Sequence, residues 1–402
     1  MAIILKDRVS PPESDNSEKS QIQPGFLGIS PAPGKLPERG ERMWVDRPDQ
    51  LLLAASVLEK SQIIAIDAEF TQVRARTQGD TSTSSHRLAL LQLAVNGHCY
   101  VIDALRLNNL SLLAEIVENP EHTILLHGAG ADLRVMSERD LNVAHYMDLE
   151  AASRSIFGQH ESSLAAMLQR AFQTRLDKSL QRTDWTRRPL PPAMVAYAAR
   201  DAEMTLALYY WLNEHYPWAL QLHENTLAQE PVAAWIEPFL RGTAQASVEV
   251  TVAEARGKGS LTDEEIIQDC RAALLGLRQP MRRSRLLRLI ADLSLLELVP
   301  EIEPLLLAPT SDERSAAARA LGRMGSESSK EAIQPLLNDP VQDVRKAAQT
   351  ALRNLQHKDE PRESLATTAR HTDGSRSWTV GETDTPEVET DWKARLRAMM
   401  DN

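Results

Sequence analysis

The stretch IIAIDAEF, residues 63–70, decides the fold. As a strand, its alternation puts Asp67 and Glu69 together on one face. Working outward, LALLQLAV (88–95), HCYVID (98–103) and TILLH (123–127) read as three further strands, and helical patterns run between and after them to about Trp218. Little except the polar loop from Arg74 to Arg87 separates the first three strands, so they should pair as an antiparallel meander before a helix crosses to TILLH. The expectation is an α/β domain with a mixed sheet.

Two further segments carry carboxylates. Asp132 follows TILLH across Gly128 and Gly130, at the start of a helical pattern, and Asp201 lies in AYAARDAEMTLALYY four residues after Tyr197. That spacing places Tyr197 and Asp201 on one helix face. Each segment alone has a structural explanation: an edge strand for Asp-x-Glu, a helix first turn for Asp132, a core phenol for Tyr197. Together they form the acidic set that phosphodiester hydrolysis with divalent cations requires. A phosphate-loop reading of the glycines fails, because Leu133 stands where a third glycine is needed and no Gly-Lys-Ser/Thr follows. His127 is left unassigned.

The order Asp-x-Glu on the first strand, Asp after a His-Gly segment, and Tyr-x-x-x-Asp on a late helix resembles the DEDD exonucleases, in the tyrosine-bearing subgroup that includes ribonuclease D. The stretch SLAAMLQRAFQTRLDKSLQRTDWTRRPLPPAMVAYAARDA resembles ribonuclease D as well, and the likeness covers roughly residues 43–216. It implies a ribonuclease H-like fold and 3′-to-5′ exonucleolytic cleavage assisted by two Mg²⁺ or Mn²⁺ ions. By resemblance, Asp67, Glu69 and Asp201 would hold one ion, Asp67 would be shared with the second, Asp132 would steady that second ion, and Tyr197 would hydrogen-bond the attacking water. RNA is the expected substrate; the alternatives are a DNA exonuclease and a non-catalytic nucleic-acid scaffold.

Residues 170–200 carry seven Arg or Lys against only Asp177 and Asp184, the best phosphate track in a chain whose formal charge is −11. Within it Lys178, Arg187 and Arg188 flank Trp185, a grouping suited to phosphates and a stacked base. Two departures from ribonuclease D stand out. The approach to the second strand, GDTSTSSHR, is polar and long, and the helical domains that follow ribonuclease D are replaced by something else.

That replacement is a 31-residue repeat. IEPLL (302–306) returns as IQPLL (333–337), Pro309 as Pro340, and Asp312 and Arg314 as Asp343 and Arg345, while Arg283, Leu286, Leu289 and Ile290 mark a weaker earlier copy. A period in this range with two helical patterns per unit indicates a stacked α-solenoid and resembles HEAT repeats. With 13 basic and 14 acidic residues over 263–356, the solenoid suits a protein partner better than RNA.

The expected organisation is a disordered arm (1–42), an exonuclease-like domain (43–218), a helical connector (219–260), HEAT-like repeats (261–356) and a disordered tail (357–402). The two cysteines, Cys99 and Cys270, lack metal-site companions, and no apolar run reaches the roughly 18 residues of a membrane span. A soluble, cytoplasmic protein with no membrane partner is expected.

Overall fold

The computed structural model describes residues 31–73, 85–176, 179–180, 183–225, 230–242, 250, 261–356, 366–370 and 376–380. Seven strands form one mixed sheet in the order β1-β4-β3-β2-β5-β6-β7. They are β1 (Glu41–Val45), β2 (Ile63–Val73), β3 (Ser85–Val95), β4 (His98–Asp103), β5 (Thr123–Leu126), β6 (Tyr146–Asp148) and β7 (Glu224–Asn225). The expected meander is present: β2 pairs antiparallel with β3, and β3 with β4, while β5 joins β2 in parallel. Three strands escaped the sequence reading. β6 and β7 are three and two residues long, too short to show alternation, and β1 begins inside the charged end of the arm, so the boundary drawn at 42 falls within a strand.

Alternation along β2 splits the core. Ile64, Ile66 and Ala68 pack against α1 (Pro48–Leu58), α2 (Ser111–Val117) and α3 (Gly130–Ser137). The opposite face, with Ala65 beside Asp67 and Glu69, is covered by α4 (Leu149–Phe157), α5 (Leu164–Phe172) and the 24-residue α6 (Pro192–His215). Between Glu69 and Phe70 the register shifts, because Glu69 pairs with Leu90 but Phe70 with Leu88. Ala89 is therefore left out of the ladder, and its carbonyl oxygen accepts a hydrogen bond from Arg188 Nη2 at 3.1 Å.

After α7 (Pro217–His223) and a short helix Glu237–Arg241, helices Asp263–Gly276, Pro280–Asp292, Ser311–Met324 and Gln342–Gln356 stack with a core of their own. The Arg repeated every 31 residues explains the turns. Arg314 Nη1 donates to the carbonyls of Ala308 and Pro309 at 2.9 and 3.0 Å, and Arg345 Nη1 to those of Asp339 and Pro340. Arg283 likewise reaches Leu277 O, six residues back. Each guanidinium thus closes the turn leading into its own helix, and two also bridge forward, Arg283 to Glu313 and Arg314 to Asp339. The cluster around Arg283 is largely consumed in this way, since Arg282 pairs with Glu237 and Arg285 donates to Leu240 O.

The repeats dock on the α/β domain through the same position of two successive units. Asp312 accepts from Ser155 Oγ at 2.8 Å and lies 3.7 Å from Arg154, while Asp343 accepts from the Gln159 backbone N–H at 2.7 Å. Gly158 has φ +86°, and a Cβ there would meet Val341 at 2.6 Å, so the joint needs a glycine for conformation and for space. Ser155 has one proton and gives it to Asp312, so the 2.7 Å contact to His223 runs from His223 Nε2–H to Ser155 Oγ. Burial lowers the pKa of His223 to about 4, so at pH 7 the ring is neutral with its proton on Nε2.

Residues 366–370 and 376–380 form an antiparallel pair within the stretch expected to be a disordered tail, where β-branched Thr and Val recur.

Because the folded chain resists protonating His223 while the unfolded chain accepts a proton near 6.5, stability should be full at neutral pH and fall as pH drops toward 4. From the two values the loss is about 2 kcal/mol by pH 5. Denaturant unfolding of wild type and His223→Gln at pH 7 and pH 5 checks this: the variant should lack that part of the acid sensitivity.

Candidate active site

β2 presents Asp67 and Glu69 from the α6 side of the sheet, and α6 brings Tyr197 and Asp201 over them one turn apart. One carboxylate oxygen from each of Asp67, Glu69 and Asp201 lies within 4.8 Å of the others. Asp132 stands outside that triplet, buried in the first turn of α3, and acts on it through its charge. Its turn is held by Asp148, which sequence reading passed over. The Asp148 carboxylate accepts from Gly128 N and Ala129 N at 2.9 and 3.1 Å and also caps α4 through Glu150 N. In sequence Asp148 reads as a helix cap, and nothing there announces its second task.

Burial and like charge dominate the electrostatics. Burial holds Asp67 well above the usual carboxylate range, and the charges of Asp132 and Asp201 push it further. Glu69 is raised to about 9 by burial and then by Asp67. Asp132 rises to about 7 through burial and Asp148, and Asp201 to about 6 through burial, against the lowering effect of its hydrogen bond with Tyr197 and of Arg200. Tyr197 is itself raised by burial and by Asp201, so it keeps its proton. Asp201 Oδ1 is buried without a hydrogen-bond partner. Clustered oxygen donors, an orphaned carboxylate oxygen and mutual repulsion fit a divalent cation. The cluster opens on a cavity of about 810 Å³ that is also lined by Phe70, Thr183, Asp184 and Trp185. His127, at the end of β5, is buried and its pKa is lowered by burial.

The expected nucleic-acid contacts fare differently. Trp185 is 2% exposed and packs in the core with its ring centroid 6.1 Å from that of Tyr197, so it borders the cavity while leaving little open ring face for stacking. Arg188 is structural: Nε and Nη2 clasp the fully buried Asp103 at 2.6 and 2.7 Å, and Nη1 donates to Trp185 O and Arg187 O. The sequence showed the cation but not the buried acid, 85 residues away. Arg187 is exposed, and Lys178 lies outside the described residues.

Residues 43–216 match the 3′-5′ exonuclease family, and residues 259–375 match HEAT repeats. The chain is 27% identical over 205 residues to Exosome complex component 10 homolog of Drosophila melanogaster, covering 50% of this chain and 21% of that protein. It is 29% identical over 179 residues to Ribonuclease D of Haemophilus influenzae, covering 44% of this chain and 43% of that protein. In both cases the chain spans less than half the relative's own length. The crystal structure of Escherichia coli RNase D, an exoribonuclease involved in structured RNA processing, aligns at 20% identity with a TM-score of 0.41, over 90% of this chain and 84% of that one.

Without a cation the folded α/β domain holds protons at these carboxylates more tightly than the unfolded chain, so stability should fall as pH rises toward 9. Melting in chelator at pH 7 and pH 9 should show that decline, with Mn²⁺ raising Tm more at pH 9 and Glu69→Gln flattening the slope. Arg188→Gln, which strands a buried Asp103, should cost about 3–5 kcal/mol in denaturant unfolding. Loss of RNA affinity at undiminished stability would contradict the structural role.

Proposed function

We propose that the domain is a metal-dependent 3′-5′ exoribonuclease of the tyrosine-bearing DEDD subgroup, using two Mg²⁺ or Mn²⁺ ions to process RNA from its 3′ end. The observation that carries this reading is the convergence of Asp67, Glu69 and Asp201 beneath a protonated Tyr197 at an open cavity. Asp67, Glu69 and Asp201 would hold the ions, and Asp132 would support the second from the turn fixed by Asp148. When bound, two divalent ions stabilise both the attacking and the leaving oxygen of an in-line displacement.

The remaining work falls to side chains. Tyr197 keeps its proton, so it orients the attacking water by hydrogen bonding and does not serve as a base. Phe70 offers the cavity an aromatic surface for the terminal base, the part first expected of Trp185. Arg187 and Lys178 are the cations proposed to follow the phosphates. RNA is favoured over DNA because Ribonuclease D is among the named relatives. The HEAT repeats are proposed to bind a protein partner on surfaces other than the edge that Asp312 and Asp343 commit to the exonuclease domain. A cytoplasmic setting accords with two buried free cysteines, and no helix among the described residues is long and apolar enough to cross a membrane.

A time course on 3′- and 5′-labelled RNA and DNA of one sequence, with Mn²⁺ or chelator, tests the proposal. RNA should shorten from its 3′ end only with metal, and Asp201→Ala should lower the rate by at least about 10³-fold with the fold intact. An undiminished rate in that variant would sink the mechanism, and faster cleavage of DNA would overturn the substrate.

A further inference from the structure

Gln92 lies in the middle of β3 with 0% of its surface exposed, and neither its Oε1 nor its Nε2 has a hydrogen-bond partner. A buried polar group left unsatisfied costs roughly 1–3 kcal/mol, and an aliphatic residue would avoid that cost. The other positions of LALLQLAV are all apolar. The ladder explains why this one is not. Gln92 is the cross-strand partner of Asp67 and on its other side pairs with Val101 of β4. Residues directly opposite in an antiparallel ladder project from the same face with Cβ atoms about 5 Å apart. Gln92 therefore projects from the same face as its neighbour Asp67 but away from the cavity, whose lining does not include it.

We infer that Gln92 is a positioning residue: when Asp67 serves as a cation ligand, the Gln92 Nε2 donates to it and fixes the orientation of its carboxylate. This rests on the exonuclease reading above. A neutral amide suits the task, because it donates a hydrogen bond without adding a charge that would compete with the cations. Outer hydrogen bonds of this kind typically change metal affinity by about 10- to 100-fold.

The test compares wild type with Gln92→Leu and, as an unbranched alternative, Gln92→Met, using Mn²⁺ calorimetry, melting in chelator and steady-state cleavage of a short RNA. Positioning predicts a variant at least as heat-stable as wild type in chelator, with Mn²⁺ affinity weakened about tenfold or more and kcat lowered at nearly constant KM. An amide that is merely a core misfit predicts the same gain in stability with unchanged Mn²⁺ binding and kcat, which would overturn the inference. Failure of both variants to fold would also overturn it, by assigning the amide to the core. A wild type that neither binds Mn²⁺ nor shortens RNA would instead remove the exonuclease reading, and this inference with it.

Discussion

Repulsion among acids gathered on one face of a sheet is the constraint around which the α/β domain is arranged. Asp67, Glu69 and Asp201 are brought within 4.8 Å of one another, and Asp132 adds its field from α3. The packing of β2 between β3 and β5 fixes the first two, and the apolar contacts of α6 fix the third. Core burial thus works against electrostatics, and the difference is held as raised proton affinity at the carboxylates.

Supports for this arrangement lie one step away from it. Asp148 ties the β5–α3 turn, Arg188 clasps Asp103 behind the segment that lines the cavity, and Arg42 fixes β1 to α6 through a bidentate pair with Glu203 at 2.7 and 2.6 Å. The bulge at Ala89 supplies one of the carbonyls that hold Arg188. Each support joins residues far apart in sequence, so strain introduced at one would spread to the strands carrying the acids.

That distance explains what could and could not be read beforehand. The pairing of Asp67 with Glu69 and of Tyr197 with Asp201 on common faces was legible because their spacing obeys local rules: two residues along a strand, four along a helix. The repeats were legible because Arg283, Arg314 and Arg345 recur at a fixed interval, and each turned out to close a turn six residues back. The burial of Trp185 and the pairing of Arg188 with Asp103 were not legible, because a basic, aromatic segment looks the same in sequence whether it faces solvent or an acid 85 residues earlier. Gln92 hid among leucines, since the role of a lone amide depends on what stands across the ladder.

The docking of Asp312 and Asp343 constrains how this architecture could lengthen. Both lie at one repeat position, and both bind along α4 and the turn that follows it, so the solenoid is anchored broadside by two consecutive units. A unit inserted between them would throw one aspartate out of step with Ser155 or Gln159 and break the attachment. Growth by duplication is compatible with this anchorage only outside the interval between the two aspartates, where a further unit would extend the array and leave their spacing unchanged.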